Sequence, residues 1–323
     1  MNQLSQAGIA IARHIAAVYH AHPAVQAVMV GGSVARGYAD HFSDLEIGVF
    51  WATPPTDADR TALIEQIGGD LWSLSSSTAN PDWLAGEHYG LSALAINGQM
   101  TNGLVMVDTK HATLACLDRC FRDVQELFDT ALPKQVLIGA IQDGIPLYGH
   151  ALLAEWQARA RAYPDRLAIK MIQENLWCGP WFVPEAYVER DDQLVLYQHV
   201  IWMQQSILKI LAGLNRCYYP STEHKWMEAL IARFGLAPIN LTARLKQLFH
   251  EPPAEGMRHM LELVRETVAL VAQHCPEVDD IAMFPEHPEA TTTWAHRRWE
   301  PPAPYTLLQA VANVLADTPG IGS

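Results

Sequence analysis

The feature that most constrains this chain is an apolar run, Ala24 to Val30, that ends directly in Gly31-Gly32-Ser33. Bounded by His22-Pro23 before it and glycines after it, the run predicts a short buried strand that turns at once. Beyond an irregular piece, Leu45 to Trp51 predicts a second strand, closed by Pro54-Pro55. There Leu45, Ile47 and Val49 fall on one face, while Asp44 and Glu46 point together to the other. Residues two apart on a strand are about 6.5 to 7 Å apart at Cα, close enough for two carboxylates to converge. Gly31 and Gly32 let the backbone approach a ligand closely, and Ser33 offers a hydroxyl where a short helix starts and its N–H groups favour anions.

Around these strands the texture is mixed. Leu4, Ile11, Ile15 and Val18 recur at helical spacing up to His22-Pro23, so an amphipathic helix opens the chain. Asp57 to Ile67 predicts a helix capped by Thr56 or Asp57. Leu91 to Ile96 and Gly103 to Asp108 are apolar runs about Asn97-Gly98, a dipeptide suited to a tight turn. Leu114, Leu117, Phe121, Val124 and Phe128 mark another helix, and Ile141 to Gly149 holds a last helix-to-strand element. From about residue 151 helical periodicity dominates. The clearest helix is Tyr197 to Leu214, with Val200, Gln204, Ile207, Leu211 and Leu214 on one stripe; Ile231, Leu248 and Leu261 to Val271 belong to others. Pro285 to Pro304 reads as an irregular connection before a final helix, Leu307 to Leu315. The 323 residues thus divide into a mixed domain, 1–150, and a helical one, 151–323, in keeping with about 100 to 200 residues per domain.

Half of the residues are hydrophobic and 18% are charged, an ordinary globular composition. Lys and Arg number 22 against 35 Asp and Glu, a formal charge of −13, which disfavours a nucleic-acid partner bound through its phosphates. The same excess either steers a cationic small molecule inward or simply keeps the chain in solution. Five cysteines without paired spacing indicate neither a disulfide framework nor a zinc site. Arg13 and His14 interrupt the apolar stretch Ile9 to Val18, no cleavable leader accompanies it, and no run reaches the roughly 18 to 20 apolar residues of a membrane span. The expectation is a cytoplasmic protein with no membrane partner and an oligomeric state left open.

The chemistry gathers on Asp44 and Glu46. Two carboxylates at strand spacing suit a hard divalent cation, and Mg²⁺ prefers oxygen ligands together with substrate phosphates. Phosphoryl transfer needs triphosphate charge neutralised and the attacking and leaving oxygens aligned, which such an ion does. Asp108, at the end of the run from Gly103, is the candidate third carboxylate: it shares the metal, takes a proton from the acceptor hydroxyl, or does both. Gly32, Ser33 and Ser43 are candidate contacts to the triphosphate.

These residues resemble the nucleotidyltransferase superfamily that includes DNA polymerase beta, and within it the bacterial antibiotic nucleotidyltransferases and minimal nucleotidyltransferase domains. The family pattern is Gly-Ser, a spacer, Asp-x-Asp or Asp-x-Glu, and a later acidic residue. Gly32-Ser33, Asp44-Leu45-Glu46 and Asp108 match it, and Arg36-Gly37 matches the Arg-Gly common in the minimal forms, which adds Arg36 to the nucleotide contacts. Glu46 stands where Asp is commoner. The resemblance covers residues 24–149 and implies an α/β (α+β) fold with a mixed sheet, followed by an all-α domain. It also implies Mg²⁺ as cofactor, a nucleoside triphosphate, expected to be ATP, as donor, and transfer of its monophosphate to a hydroxyl of a small acceptor.

The helical half is similar to the domains that follow such a catalytic domain in aminoglycoside- and lincosamide-modifying enzymes, where basic residues reach the triphosphate. Lys225 is the candidate, with Arg216 second; a surface lysine is the alternative. In some relatives a carboxylate near Glu87-His88 is the base, although a satisfied loop carboxylate is the better reading for Glu87. Arg190 and His199 are too far apart for the ribonuclease motif that accompanies minimal forms, so His199 is taken as a helix-face residue. Trp177, Trp181, Phe182, Tyr187 and Tyr197 are read mostly as core. Two other functions stay open: a regulatory or antitoxin-like enzyme acting on a protein or tRNA, and nucleotide binding without turnover.

Overall fold

The computed structural model describes residues 1–75, 84–92, 95–96, 99–100, 103–176, 187 and 189–280. The chain forms two compact units: Met1–Leu167 with Cys217–Lys225, and Ala168–Arg216 with Trp226–Ser323.

The first unit is built on a six-stranded mixed sheet in the order β3-β4-β7-β2-β1-β8. Its strands are β1 Val25–Val30, β2 Leu45–Trp51, β3 Asp70–Leu74, β4 Leu84–Leu91, β7 Val105–Thr113 and β8 Ile145–Tyr148. Between β4 and β7, β5 Ala95–Ile96 and β6 Gln99–Met100 form a separate small pair. β2 and β7 run parallel, from Leu45 opposite Val107 to Trp51 opposite Thr113; every other neighbouring pair is antiparallel. A parallel pair cannot be closed by a tight turn, and here the connection carries a helix and the strands β3 to β6.

Two helices cover one face of the sheet, α1 Gln3–His20 and α3 Asp57–Ile67. Ile11, Ile15 and Tyr19 from α1 and Leu63, Ile64 and Ile67 from α3 pack on Leu45, Ile47, Val49, Val107 and Tyr89. The α3 start is held by a full capping box, in which Thr56 accepts from the Asp59 N–H and the Asp59 carboxylate accepts from the Thr56 N–H, and the helix stops at Gly68 with φ 81°.

This buried face also carries charge. Glu87, Arg60 and His111 are all 0% exposed. Arg60 Nη1 donates to Glu87 Oε2 at 3.0 Å, Tyr19 Oη donates to Oε1 at 3.2 Å, and His111 Nε2 closes on the same Oε1. Trp51 Nε1, which can only donate, bonds His111 Nδ1 at 2.9 Å and so assigns the ring proton to Nε2. Arg60 Nη2 is further held by Asp57 at 2.7 Å and the Ser75 carbonyl at 2.6 Å.

Several expected elements shift. Glu87-His88 lies inside β4 rather than in a loop, and Asp108 lies in the middle of β7 rather than at its end. The reason is shared: Glu87, Thr109 and His111 are polar residues turned into the core, so apolar alternation breaks where the strands continue. β3 had no apolar alternation to announce it, since Asp70, Trp72 and Ser73 are exposed. β2 begins at Leu45, with Asp44 just ahead of it. The Asn97-Gly98 turn falls outside the described residues, as do Trp177, Trp181, Phe182 and the region of the expected last helix, 307–315.

Against the other face stand α5 Leu132–Asp143 and α6 His150–Arg161, with α2 Gly32–Arg36 and α4 Leu114–Gln125 alongside in the chain. Phe50 of β2 meets Trp156 of α6 edge-on, ring centroids 4.9 Å apart. The returning segment Cys217–Lys225 is tied down by Gln125 Nε2, which donates to Tyr218 Oη at 3.3 Å, and by the Tyr219 N–H on Gln135 Oε1 at 3.4 Å.

The second unit is helical. After α7 Asp165–Asn175, which starts in the first unit, come α8 Gln193–Leu214, α9 Met227–Ile231, α10 Leu241–Gln247 and α11 Pro253–His274. α8 buries Leu196, Val200, Met203, Ile207 and Leu211 and packs along α11. Gly213 admits α7, because a Cβ there would meet the Ala168 carbonyl and Met171 Cβ at 3.0 Å. His199 lies half-buried on α8, its ring 5.8 Å from that of Tyr187, and burial lowers its pKa. Among the described residues no helix is long and apolar enough to cross a membrane.

Candidate active site

Strand alternation sends Glu46 and Gly48 of β2, Asp108 and Lys110 of β7, and Gly86 and His88 of β4 to the face opposite the buried network, where they floor a cleft of about 690 Å³. Met29 and Phe50 from the sheet and Pro133, Val136, Leu137 and Ala140 from α5 make its wall apolar, and Thr222 of the returning segment reaches it.

The floor is organised as a row. Ser73 pairs with His88, His88 with Asp108, and Asp108 with Glu46, one residue from each of four adjacent strands. The next step is the glycine turn, where the Gly31 N–H donates to the Glu46 carbonyl at 2.9 Å. Gly32 has φ 58°, and a Cβ on it would fall on Glu46 Oε2. Glycine is therefore required twice over: for the left-handed backbone and for the carboxylate lying against it. Gly32→Ala is expected to lower the melting temperature, since left-handed backbone alone costs an ordinary residue about 1–2 kcal/mol. Thermal unfolding measures this; a variant that melts like the parent rules the close packing out.

Glu46 is surrounded by protein yet open to water through the cleft. Its carboxyl is pushed above the ordinary range, by burial first, then by the charge of Asp44 and also that of Asp108, while Arg36 and Lys225 oppose the rise. Because water reaches the group, repulsion between the three carboxylates is the firmer cause.

The other candidates are placed less uniformly. Ser43 donates to Asp40 Oδ1 at 2.9 Å and accepts from the Asp40 N–H at 3.0 Å, a turn that fixes the approach to Asp44 and lowers the Asp40 pKa. Arg36 gives its Nε to Asp143 Oδ2 at 2.9 Å. Ser33 is buried at the start of α2. Lys225 belongs to the same unit as the sheet and feels the charges of Asp44 and Glu46; its Nζ stands 2.8 Å from Glu223, the main cause of its raised pKa. Arg216 lies in the helical unit, bonded to the Leu214 carbonyl at 3.2 Å. Glu87 faces away from the cleft, so it cannot take a proton there.

Two nitrogen-bearing side chains beside Asp108 are not marked by the sequence pattern. Lys110 Nζ is 2.9 Å from Asp108 Oδ1, and His88 Nε2 is 3.4 Å from it. The contact with Lys110 is an ion pair by distance but not in line for a hydrogen bond, and among the described residues none makes a hydrogen bond to this buried oxygen. His88 Nδ1 meets Ser73 Oγ at 2.9 Å. The Asp-x-Lys spacing was the available signal, since residues two apart share a strand face.

A family model described as "Domain of unknown function (DUF4037)" matches residues 130–227. None of the curated proteins compared with the chain matches it. Among solved structures, the chain is similar to a nucleotidyltransferase-like protein from Exiguobacterium sibiricum 255-15, solved by crystallography at 1.90 Å. The TM-score is 0.37 and the identity 12%, over 85% of this chain and 79% of that one.

The site's own residues bear on whether a metal ion fits. All three carboxylates offer oxygen, they repel one another, and one buried oxygen of Asp108 lacks a hydrogen bond, all of which a divalent cation would relieve. Among the described residues, however, no three His, Cys, Asp or Glu side chains stand close enough to hold an ion by themselves. An ion such as Mg²⁺, which takes one or two carboxylates and leaves its remaining positions to phosphate oxygens and water, would suit such a set of residues.

Proposed function

We propose that the sheet-bearing unit transfers a nucleoside monophosphate from a nucleoside triphosphate, with ATP the first donor to try, to a hydroxyl of a small acceptor. The reading rests on one observation: carboxylates from β2 and β7 lie side by side against a glycine turn with no room for a side chain, at the floor of an apolar-walled cleft.

Asp44 and Glu46 would hold Mg²⁺, which when bound neutralises triphosphate charge and favours departure of pyrophosphate. The Gly31-Gly32 turn brings backbone close to the phosphates, and Lys225 and Arg36 supply positive charge beside them. Asp108 accepts the proton of the acceptor hydroxyl, whose oxygen forms the new bond to the α-phosphorus as the bond to the β-phosphate bridging oxygen breaks. The net charge of −13 still argues against nucleic acid as the acceptor.

Pyrophosphate release across the four common triphosphates, with Mg²⁺ and with chelator, tests the reading against a panel of hydroxylated acceptors. Release that requires both metal and acceptor supports it; triphosphate binding without release under every condition leaves a binding protein. Lys225→Ala is expected to shrink the affinity ratio of triphosphate to monophosphate by about tenfold, the low end for a charge-assisted hydrogen bond because the lysine is exposed. Titration of both nucleotides decides, and an unchanged ratio returns Lys225 to the solvated surface.

A further inference from the structure

The α5 helix carries two apolar stripes. Ile138 and Ile141 are buried in the protein, while Pro133, Val136, Leu137 and Ala140, spaced i, i+3, i+4 and i+7, border the cleft. Beyond the carboxylate row the cleft floor is built on glycine: Gly48 and Gly86 are the strand neighbours of Lys110, one on each side. Each admits a side chain from beside it. A Cβ on Gly48 would meet Met29 Cγ and Cε at 3.2 Å and Phe50 Cε2 at 3.5 Å, and one on Gly86 would meet Lys110 Cδ and Nζ at 3.1 Å. The thioether, the ring edge and the methylene stem of the lysine therefore continue the hydrocarbon surface, while the ammonium at the end of that stem turns to Asp108 at 2.9 Å.

This surface adjoins Glu46 and Asp108 but gives a charge no side-chain partner of its own. The ionisable residues among the described lining are Glu46, Asp108, His88, Lys110 and His111. The first three stand in the row, Lys110 is paired to it, and His111 is turned into the core, so the α5 wall contributes none. A charged or hydrogen-bonding group withdrawn from water onto that wall costs free energy that nothing there returns. The cost disfavours an ionic body and also a nucleobase, whose edge is lined with nitrogen and oxygen atoms. The cleft, about 690 Å³, has the size of a small-molecule site, which spans about 300 to 1,000 Å³. We infer that it binds the acceptor by an uncharged hydrocarbon body laid on the α5 stripe, with the hydroxyl at the carboxylate row. This deepens the transfer reading and rests on it for the word acceptor. The net negative charge of the chain acts on how a molecule approaches, whereas the wall acts on the part that is buried.

The test is calorimetric titration of the full chain with the linear alcohols from 1-butanol to 1-octanol and with 6-amino-1-hexanol, which matches 1-heptanol in length but ends in an ammonium. Affinity is expected to rise two- to fourfold with each added methylene, about fourfold being the value for full burial. The amino alcohol is expected to bind at least tenfold more weakly than 1-heptanol. Val136→Asp, which sets a charge on the half-buried wall, should weaken 1-octanol at least tenfold, and Val136→Thr, which adds a hydroxyl at nearly the same shape, at least twofold. Melting curves show that the variants fold; should the aspartate fail to, the threonine variant and the chain-length series decide. A smaller slope, a smaller penalty for the ammonium, 1-octanol binding undiminished in the Val136 variants, or no alcohol binding at millimolar concentration overturns the inference. Adenosine binding that the Val136 variants abolish overturns it too, by making the wall a nucleobase site. A parallel titration with ATP and Mg²⁺ separates the two readings: alcohol binding without ATP binding sinks the transfer reading alone, and ATP binding without alcohol binding sinks the hydrocarbon subsite alone.

Discussion

Glu46→Gln is expected to lower acceptor-dependent pyrophosphate release at least a thousandfold and, at the same time, to raise the melting temperature of the metal-free protein. The first effect follows, on the proposed reading, from removing a charge from the pair that would hold Mg²⁺; a factor of a thousand corresponds to about 4 kcal/mol of transition-state stabilisation. The second follows from the raised pKa of Glu46, caused by burial and by Asp44 and Asp108. An acid whose folded pKa lies above its unfolded value opposes folding once pH exceeds the unfolded value, and the opposition is complete above the folded one. Near neutrality the parent therefore carries this repulsion, and glutamine, of the same shape, removes it. Metal should reverse the ranking, because Mg²⁺ stabilises only the parent. Melting curves at neutral pH with chelator and with Mg²⁺, together with a pyrophosphate assay, read all of these. A variant that keeps activity within tenfold, or that melts below the parent in chelator, removes Glu46 from the site.

Loss of function with gain of stability would mark a group placed for chemistry, and Glu46 stands out in the sequence because Leu45, Ile47 and Val49 occupy the other face of β2, before the alternation ends in the consecutive apolar residues Phe50 and Trp51. β7 and β4 were harder for the opposite reason. Thr109, His111 and Glu87 face the core, where the partners that make them tolerable come from α1, α3 and β2, far away in sequence. No local pattern shows that a buried glutamate has an arginine 27 residues earlier. The slip in the pairing of β3 with β4 between Leu71 and Ser73 is likewise a property of pairing rather than of composition. The return of Cys217–Lys225 to the first unit depends on Gln125 and Gln135, side chains that read only as helix surface. What was legible, the glycine turn and the Asp44-Leu45-Glu46 strand, is also what lies closest together along the chain.

The network beneath the sheet gives the largest expected effect on stability. Arg60→Leu leaves Glu87 buried without its arginine, and breaking one partner of a buried ion pair costs about 3–5 kcal/mol, or roughly 2–4 °C of melting temperature for each kcal/mol in a unit of this size. The sign of the pH response identifies the cause. Burial works to raise the Glu87 pKa, but His111 and Arg60 overcome it and hold the carboxyl below its ordinary range. In the parent, then, this glutamate contributes stability that is present above the unfolded carboxyl pKa, about 4.3, and is lost as pH falls through the lower folded value. Without Arg60 burial gains the upper hand and the folded pKa rises, so mild acidification from pH 7.5 to 5.5 should narrow the gap between variant and parent. The double variant Arg60→Leu/Glu87→Leu, with no charge left to strand, should recover part of the loss and show no such narrowing, while His111 keeps its bond from Trp51. Chemical denaturation of the three proteins at both pH values distinguishes stranded charge from lost packing: if the single variant is destabilised equally at the two pH values, Arg60 matters for its volume and not for Glu87.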